Sequence, residues 1–542
     1  MNTLAAFLLL SAQDLVRIEP GEFTMGEGDG PPRTREEWKT RDWDESPAHK
    51  VKITRGFSIG ATEVTNVQFR AFDPGHKGAD DEPATRVTWA QAVAYCEWRA
   101  QREGVPCRLP TEAEWEYASR AGQPIGRRVK EWCLDWYGPY EPGEQADPVG
   151  RADGYARVVR GAARPSNRSG HLPEDANRLT GFRVVVGERP RTEPLPVRGV
   201  EVRQGPAPKG GPDPSRPYFV DFTKEKKGPT IPTESWGPIF SAWNHFTTIC
   251  ACPNGDMLAA WYSTVEESGR ELCQASSRLP AGSDRWDPAT LFFDVPDVND
   301  HAPVLLSDGK RIYHFFTQSL KGWDDASDCV RTSDDSGATW SKPQIIVSRD
   351  DPRRLSQPCS AFVAKDGTVV LACDGDGHRD ERLVTSADGG KTWKVAAGDM
   401  RRSAGGKYVI HPAIVPRADG STVCFLRGPD PMPMLVSKDL GDTWEAEETP
   451  FSGIGVGQKA AALRLASGAI LLLSIDQKKR TVGGGTFVAL SSDGGRTWPH
   501  VRKAEGVTGY MSLAQAPNGV IYAFGTHMGS VAFNEAWVKE GK

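Results

Sequence analysis

A tyrosine, an arginine and three histidines stand at set distances from strand-turn dipeptides in the C-terminal half of this chain. Tyr510 opens Tyr510-Met511-Ser512-Leu513, Arg427 lies eight residues beyond the turn residue Asp419, and His411 lies eight residues before it. His245 precedes the turn glycine Gly255 by ten residues, and His301 heads the segment leading to Asp308-Gly309. A phenol beside imidazoles can act as a nucleophile or pass on an abstracted proton. An arginine fork pairs both oxygens of a carboxylate at once. One histidine alone is more often structural; three at corresponding positions beside a Tyr and an Arg point to a polar pocket for acidic ligands.

The scaffold behind these residues is a repeat. Ser-x-Asp-x-Gly-x-Thr-Trp occurs from Ser333 to Trp340, Ser386 to Trp393, Ser437 to Trp444 and Ser491 to Trp498, with starts 53, 51 and 54 residues apart. Self-similarity at about 50 residues marks a propeller or array. Within each copy, Ser and Asp side chains bond nearby backbone, a Gly takes positive φ, and the Trp has a large ring to bury between neighbours. A second series counts the units: Asn254-Gly255, Asp308-Gly309, Asp366-Gly367, Asp419-Gly420, Ser467-Gly468 and Asn518-Gly519, each followed by an apolar strand. A degenerate fifth box runs from Ser276 to Trp286. The expected fold of residues 216–542 is an all-β, six-bladed β-propeller.

The chain's 542 residues suggest two domains, and a net charge of −5 argues against a nucleic-acid partner. Residues 1–12 hold a short apolar run ending in small residues, which reads as a signal peptide for export. No other stretch is long enough to span a bilayer. The ten cysteines include no Cys-x-x-Cys and no His partner at ligand spacing, so no zinc site and no disulfide scaffold is expected. Cys359 and Cys373 flank the turn at Asp366-Gly367, where a cross-strand bridge is conceivable. Residues 190–215, rich in proline, read as a semi-rigid linker.

Residues 13–189 carry Glu63-Val64-Thr65-Asn66, Val87-Thr88-Trp89, the run from Arg108 to Ala118, Arg157-Val158-Val159-Arg160-Gly161 and Gly181-Phe182-Arg183. In this order they resemble the sulfatase-modifying-factor family, whose best-known members are formylglycine-generating enzymes. The resemblance implies an α+β, C-type-lectin-like fold. Thr111 and Glu114 independently spell a capping box. Two departures bear on function. Only Gln123 to Arg127 remain of the several tens of residues the family carries before Val129-Lys130-Glu131-Trp132, so its calcium site does not carry over. Ala162 to Leu179 lacks the redox-active, copper-binding cysteine pair. The domain is therefore expected not to make formylglycine, with Cys96, Cys107 and Cys133 as core residues.

The Asp boxes and the closing segment Val531 to Trp537 resemble the sialidase family, in its BNR-repeat branch. Carried over by turn distance, the resemblance implies Tyr510 as nucleophile and Arg427 as one of three carboxylate-binding arginines. His411 replaces the activating Glu, Glu267 replaces the acid/base Asp, and His245 replaces the first arginine. Lys459 is the nearest basic residue to the third, and His301 adds to the pocket. No metal or other cofactor is implied. Three functions stay open: an exported sialidase-like glycosidase acting on acidic glycans, a His/Tyr polysaccharide lyase, and a catalytically silent glycan-binding protein.

Overall fold

Two helices organise the N-terminal part of the chain, and their starts are written in the sequence. Trp89–Glu103 is capped by Thr88 with Gln91 closing a capping box, and ends at Gly104, whose φ of 70° suits glycine. Glu112–Arg120 starts at Thr111, whose hydroxyl accepts from Glu114 N at 3.2 Å while Glu114 accepts from Thr111 N at 2.8 Å. The computed structural model describes residues 15–541 apart from 124–127, 162–163, 198–199, 209, 232–236, 238, 267–271 and 378–379. It divides into two compact units, the first made of the chain up to residue 198 together with short later segments that include residues 295–297, the second of the remainder. Residues 1–12, read as a signal peptide, lie outside the described residues. No helix among the described residues is long and apolar enough to cross a membrane.

The first unit sets its helices against two four-stranded sheets and one three-stranded sheet. Phe69, Tyr95, Cys96, Cys107, Trp132 and Phe182 share one core. The motifs behind the family resemblance are bonded to each other. Arg183 pairs with Glu131 through two nitrogens, and Arg168 grips Glu112 at 2.8 and 2.9 Å. Arg160, fully buried, reaches Glu116 and Glu112. A buried charge is tolerated only when paired, so these residues act as a polar core that fixes one packing.

Among its described residues the second unit contains six four-stranded antiparallel sheets in chain order. Their first strands are Trp243–Ala251, Asn299–Ser307, Leu355–Val363, Ile410–Pro416, Ala461–Arg464 and Ser512–Gln515. Each packs on the next, and Ser512–Gln515 packs back on Trp243–Ala251. The sixth sheet is completed from the other end of the unit: Phe219–Asp221 pairs with Ser530–Phe533, Phe219 opposite Phe533.

The four Asp boxes are near copies in three dimensions. In the first, Gly337 N donates to Ser333 Oγ at 2.8 Å and Thr339 N to Asp335 Oδ1 at 2.9 Å, while Thr339 Oγ1 donates to Asp335 Oδ2 at 2.6 Å. The box glycines Gly337, Gly390, Gly441 and Gly495 all have φ between 87° and 93°, a region costly for any residue with a Cβ. Each Trp leans on the preceding sheet: Trp340 on Phe292, Trp393 on Phe315 and Trp498 on Phe425, with centroids 5.3, 5.5 and 6.0 Å apart. Trp444 joins the core shared by the third and fourth sheets.

The segment expected to be a linker is hydrogen-bonded at several of its described residues. Leu195 N donates to Gly150 O at 2.9 Å within the first unit. In the second unit Asn254 Nδ2 donates to Arg203 O at 2.8 Å and Gln204 Nε2 to Asp335 O at 2.9 Å. Extended proline-rich backbone makes no internal hydrogen bonds, which leaves its polar groups for such contacts.

Candidate functional site

The first strands of the first, second and fourth sheets slip register in the same way. Pairing breaks between His245 and Thr248, between His301 and Val304, and between Ile410 and Ala413. At each slip one residue turns left-handed: Phe246 at φ 50°, Ala302 at 51° and His411 at 55°. His411 is thus equivalent to Phe246 and Ala302, one place beyond His245 and His301. The three histidines expected at corresponding positions are not equivalent. Non-glycine residues held in this region cluster at functional sites, where surrounding structure imposes them.

Opposite these slips runs one rung of the second strands. His245 pairs with Tyr262, His301 with Thr317, Gln357 with Asp374 and Ile410 with Arg427. Two of the four side chains on this rung, Asp374 and Arg427, join a connected polar system with His411 and Tyr510. Asp374 holds His411 twice: Oδ1 accepts from the backbone N and Oδ2 from Nδ1, both at 2.6 Å. Gln357 Nε2 also donates to Oδ2, at 2.9 Å. Because a carboxylate takes the Nδ1 proton, Nε2 is the bare nitrogen, and it accepts from the Tyr510 hydroxyl at 3.2 Å. Arg427 Nη1 donates to the same oxygen at 3.0 Å. Tyr262 shares a 2.8 Å hydrogen bond with His245 Nδ1, and the His245 ring lies tilted against that of Tyr510, 4.1 Å between centroids.

A cavity of about 150 Å³ opens onto Tyr510, His411 and Arg427, with Tyr262, Trp323, Gln357 and Tyr408 on its walls. Burial lowers the pKa of His411 despite the opposing pull of Asp374, so its imidazole is neutral at neutral pH. Burial lowers His245 to about 4, aided by the charge of Arg427.

Other expected residues fall elsewhere. His301 is fully buried against Trp323, 4.9 Å between rings, with neither ring nitrogen bonded and its pKa pushed by burial to about 3. Lys459 is interior: Nζ donates to Cys359 O at 2.6 Å and lies 4.4 Å from the Phe246 ring centre. Glu267 lies outside the described residues. Cys359 and Cys373 form no disulfide. Asp374, absent from the sequence-derived set, stands eight residues beyond Asp366, the same offset that picks out Arg427 from Asp419 and Tyr262 from Asn254. That spacing was a sufficient signal.

Residues 255–523 match the BNR repeat-like domain family, and residues 5–128 match the sulfatase-modifying factor enzyme 1-like domain family. The chain thus joins a sulfatase-modifying-factor-like domain to a BNR repeat-like domain. It is similar to the formylglycine-generating enzyme of Streptomyces coelicolor, at 25% identity over 295 residues, covering 32% of this chain and 89% of the relative. It is also similar to the serine/threonine-protein kinase pkn1 of Chlamydia pneumoniae, at 28% identity over 251 residues, covering 31% of this chain but 37% of that one. The Streptomyces alignment uses far fewer residues of this chain than it spans, in keeping with the shortened stretch before Val129. Among solved structures, the intramolecular trans-sialidase of Ruminococcus gnavus aligns at TM-score 0.46 and 15% identity, covering 55% of this chain and 95% of that one.

Proposed function

We propose that the six sheets close into a six-bladed β-propeller whose cavity hydrolyses a glycosidic bond in an acidic glycan. The observation that carries this reading is the relay Asp374–His411–Tyr510, with Arg427 on the phenol oxygen. It has the logic of a nucleophile, a base and an orienting acid, with a phenol as the nucleophile. His411 Nε2 takes the phenolic proton as the Tyr510 oxygen bonds to the anomeric carbon. The bond to the leaving group breaks, and its oxygen takes a proton from an acid, for which Glu267 is the candidate. Water then cleaves the tyrosyl-sugar bond and restores the phenol. Asp374 stabilises the imidazolium that forms, and Arg427 offers its fork to the substrate carboxylate. Glycosidases with a tyrosine nucleophile stand outside the usual pair of carboxylates.

A β-eliminating lyase is the second reading. Its support is the cavity wall, which among the described residues bears imidazole, phenol, indole, amide and guanidinium groups but no carboxylic acid. Elimination needs a base and a carboxylate clamp, roles open to Tyr510 with His411 and to Arg427. A panel of acidic glycans given to the full chain separates the outcomes. New reducing ends without ultraviolet absorption support hydrolysis, unsaturated-uronate absorption supports the lyase, and binding without product leaves a silent lectin.

The first domain, in this reading, is a non-catalytic partner of an exported protein. A Cys-x-Pro-x-Arg peptide incubated with the chain, copper and oxygen should show no formylglycine by mass spectrometry. Its appearance would overturn that role.

A further inference from the structure

Beside two members of the relay, Asp374 and His411, lies a third donor, Cys359. Cys359 Sγ, the Asp374 carboxylate and His411 Nδ1 lie within 4.8 Å of one another. Cys359 Sγ is 3.9 Å from His411 Nδ1, which is 2.6 Å from Asp374 Oδ2. All three residues are buried. They come from three strands, Leu355–Val363, Val369–Gly375 and Ile410–Pro416, so no local spacing announces them. Cys359 makes one more weak contact, to Gln357 O at 3.6 Å.

We propose that these residues form a binding site for a thiophilic divalent cation of the zinc type. A thiolate, an imidazole and one carboxylate suit zinc or cobalt, whereas calcium and magnesium ask for oxygen ligands throughout. Cys359 is a neutral thiol without an ion, because burial holds its pKa well above the usual range. Two cations face the set: Lys459, bonded to Cys359 O, and Arg427 across Tyr510. They favour the thiolate and oppose added positive charge. With Cys359 ionised the donors carry two negative charges, which a divalent ion neutralises. The thiol proton leaves to solvent, and the Nδ1 proton moves to Nε2, so the imidazole stays neutral.

That shift has a consequence, which rests on the relay reading. With metal on Nδ1, His411 Nε2 donates to the Tyr510 oxygen and can no longer take its proton. Ion and proton relay exclude each other, and zinc inhibits turnover. The site itself stands on geometry alone and is tested without activity.

The test is titration of the chelator-treated full chain with Co²⁺, followed by thiolate-to-cobalt absorption in the near ultraviolet. We expect saturation at one equivalent and displacement by Zn²⁺. Cys359→Ser should abolish the band. His411→Asn, chosen because Asn tolerates a left-handed backbone, should weaken binding by at least about tenfold. No saturable band in the folded wild-type chain would overturn the site, as would a band that survives Cys359→Ser. Should Cys359→Ser fail to fold, the wild-type titration and His411→Asn decide: unchanged affinity in His411→Asn also overturns it.

Discussion

The Asp-box turns and the second-strand rung of the second unit are built on the same repeat and have opposite characters. At the turns, four Asp boxes hold the same Ser, Asp, Gly, Thr and Trp with matching hydrogen bonds. On the rung, Tyr262, Thr317, Asp374 and Arg427 occupy one structural position in four sheets and share no chemistry. Repetition marks what every sheet needs in order to pack. Divergence at an equivalent position marks what one sheet does that the others do not.

The sharpest way to break this contrast is to remove a single oxygen from the rung's partner. Tyr510→Phe should reduce turnover of an acidic glycan by about 10²–10⁴-fold, the range for a positioned proton-transfer group. Melting should barely change, because the ring contacts of Tyr510 with His245 and Phe246 remain. Turnover at the wild-type rate would remove Tyr510 from the chemistry. The activity that remains in the native chain should fall on acidification, as His411 becomes protonated below the ordinary histidine range.

At the turns the expected loss is in stability instead. Trp444 is the most buried of the four box tryptophans, at 9% exposure. Trp444→Ala should cost about 3 kcal/mol, the low end for a large aromatic because its ring is not fully enclosed. Trp393→Ala should cost less, since that ring is only half-buried. Chemical denaturation measures both. A Trp444→Ala chain with unchanged stability but lost turnover would reverse the assignment of turns to structure.

The sequence exposed these two regions unequally, for physical reasons. The Asp boxes are local: every bond in Ser-x-Asp-x-Gly-x-Thr spans at most four residues, so the pattern is its own geometry. The capping box at Thr111 and Glu114 was legible for the same reason. Tyr510 and Arg427 were reachable by turn distance, and Asp374 obeys that same distance. Turn distance also carried the one-place offset of His411, eight residues before Asp419 as Phe246 is before Asn254, while His245 is nine before it. It could not place Lys459 and His301 in the interior, since burial is decided by neighbouring sheets. The Cys359, Asp374 and His411 cluster spans 52 residues of chain between its outer members and has no sequence signature at all.

Arg427→Ala sharpens the rung from another side. Its fork should select acidic over neutral sugars, and its loss should weaken binding of the acidic ligand by roughly 1.5–3 kcal/mol, as for a hydrogen bond to a charged group. Calorimetry on matched acidic and neutral oligosaccharides measures the difference. Equal weakening for both would make Arg427 a support for Tyr510 and not a carboxylate ligand.

The smallest effect separates the two regions by pH. His301 and His245 have folded pKa values near 3 and 4, below the ordinary value near 6.5, so the unfolded chain binds protons that the folded chain refuses. Their contribution to stability is present above about pH 6.5 and falls as pH drops toward 4 and then 3. The Asp-box carboxylates are also depressed, chiefly by hydrogen bonds from Thr392 in Asp388 and from Thr497 in Asp493, but their ordinary value is near 3.9. Their stabilisation stays whole down to about pH 4 and is lost only below it, and solvent exposure keeps it small. Melting curves of the native chain should therefore decline in two stages. His301→Gln, which removes the titrating ring, should flatten the stage between about pH 6 and 4, and Asp388→Asn should act only on the stage below about pH 4. A decline between pH 6 and 4 that is unchanged in His301→Gln would show that this buried ring is not what ties the first strands of the sheets to pH.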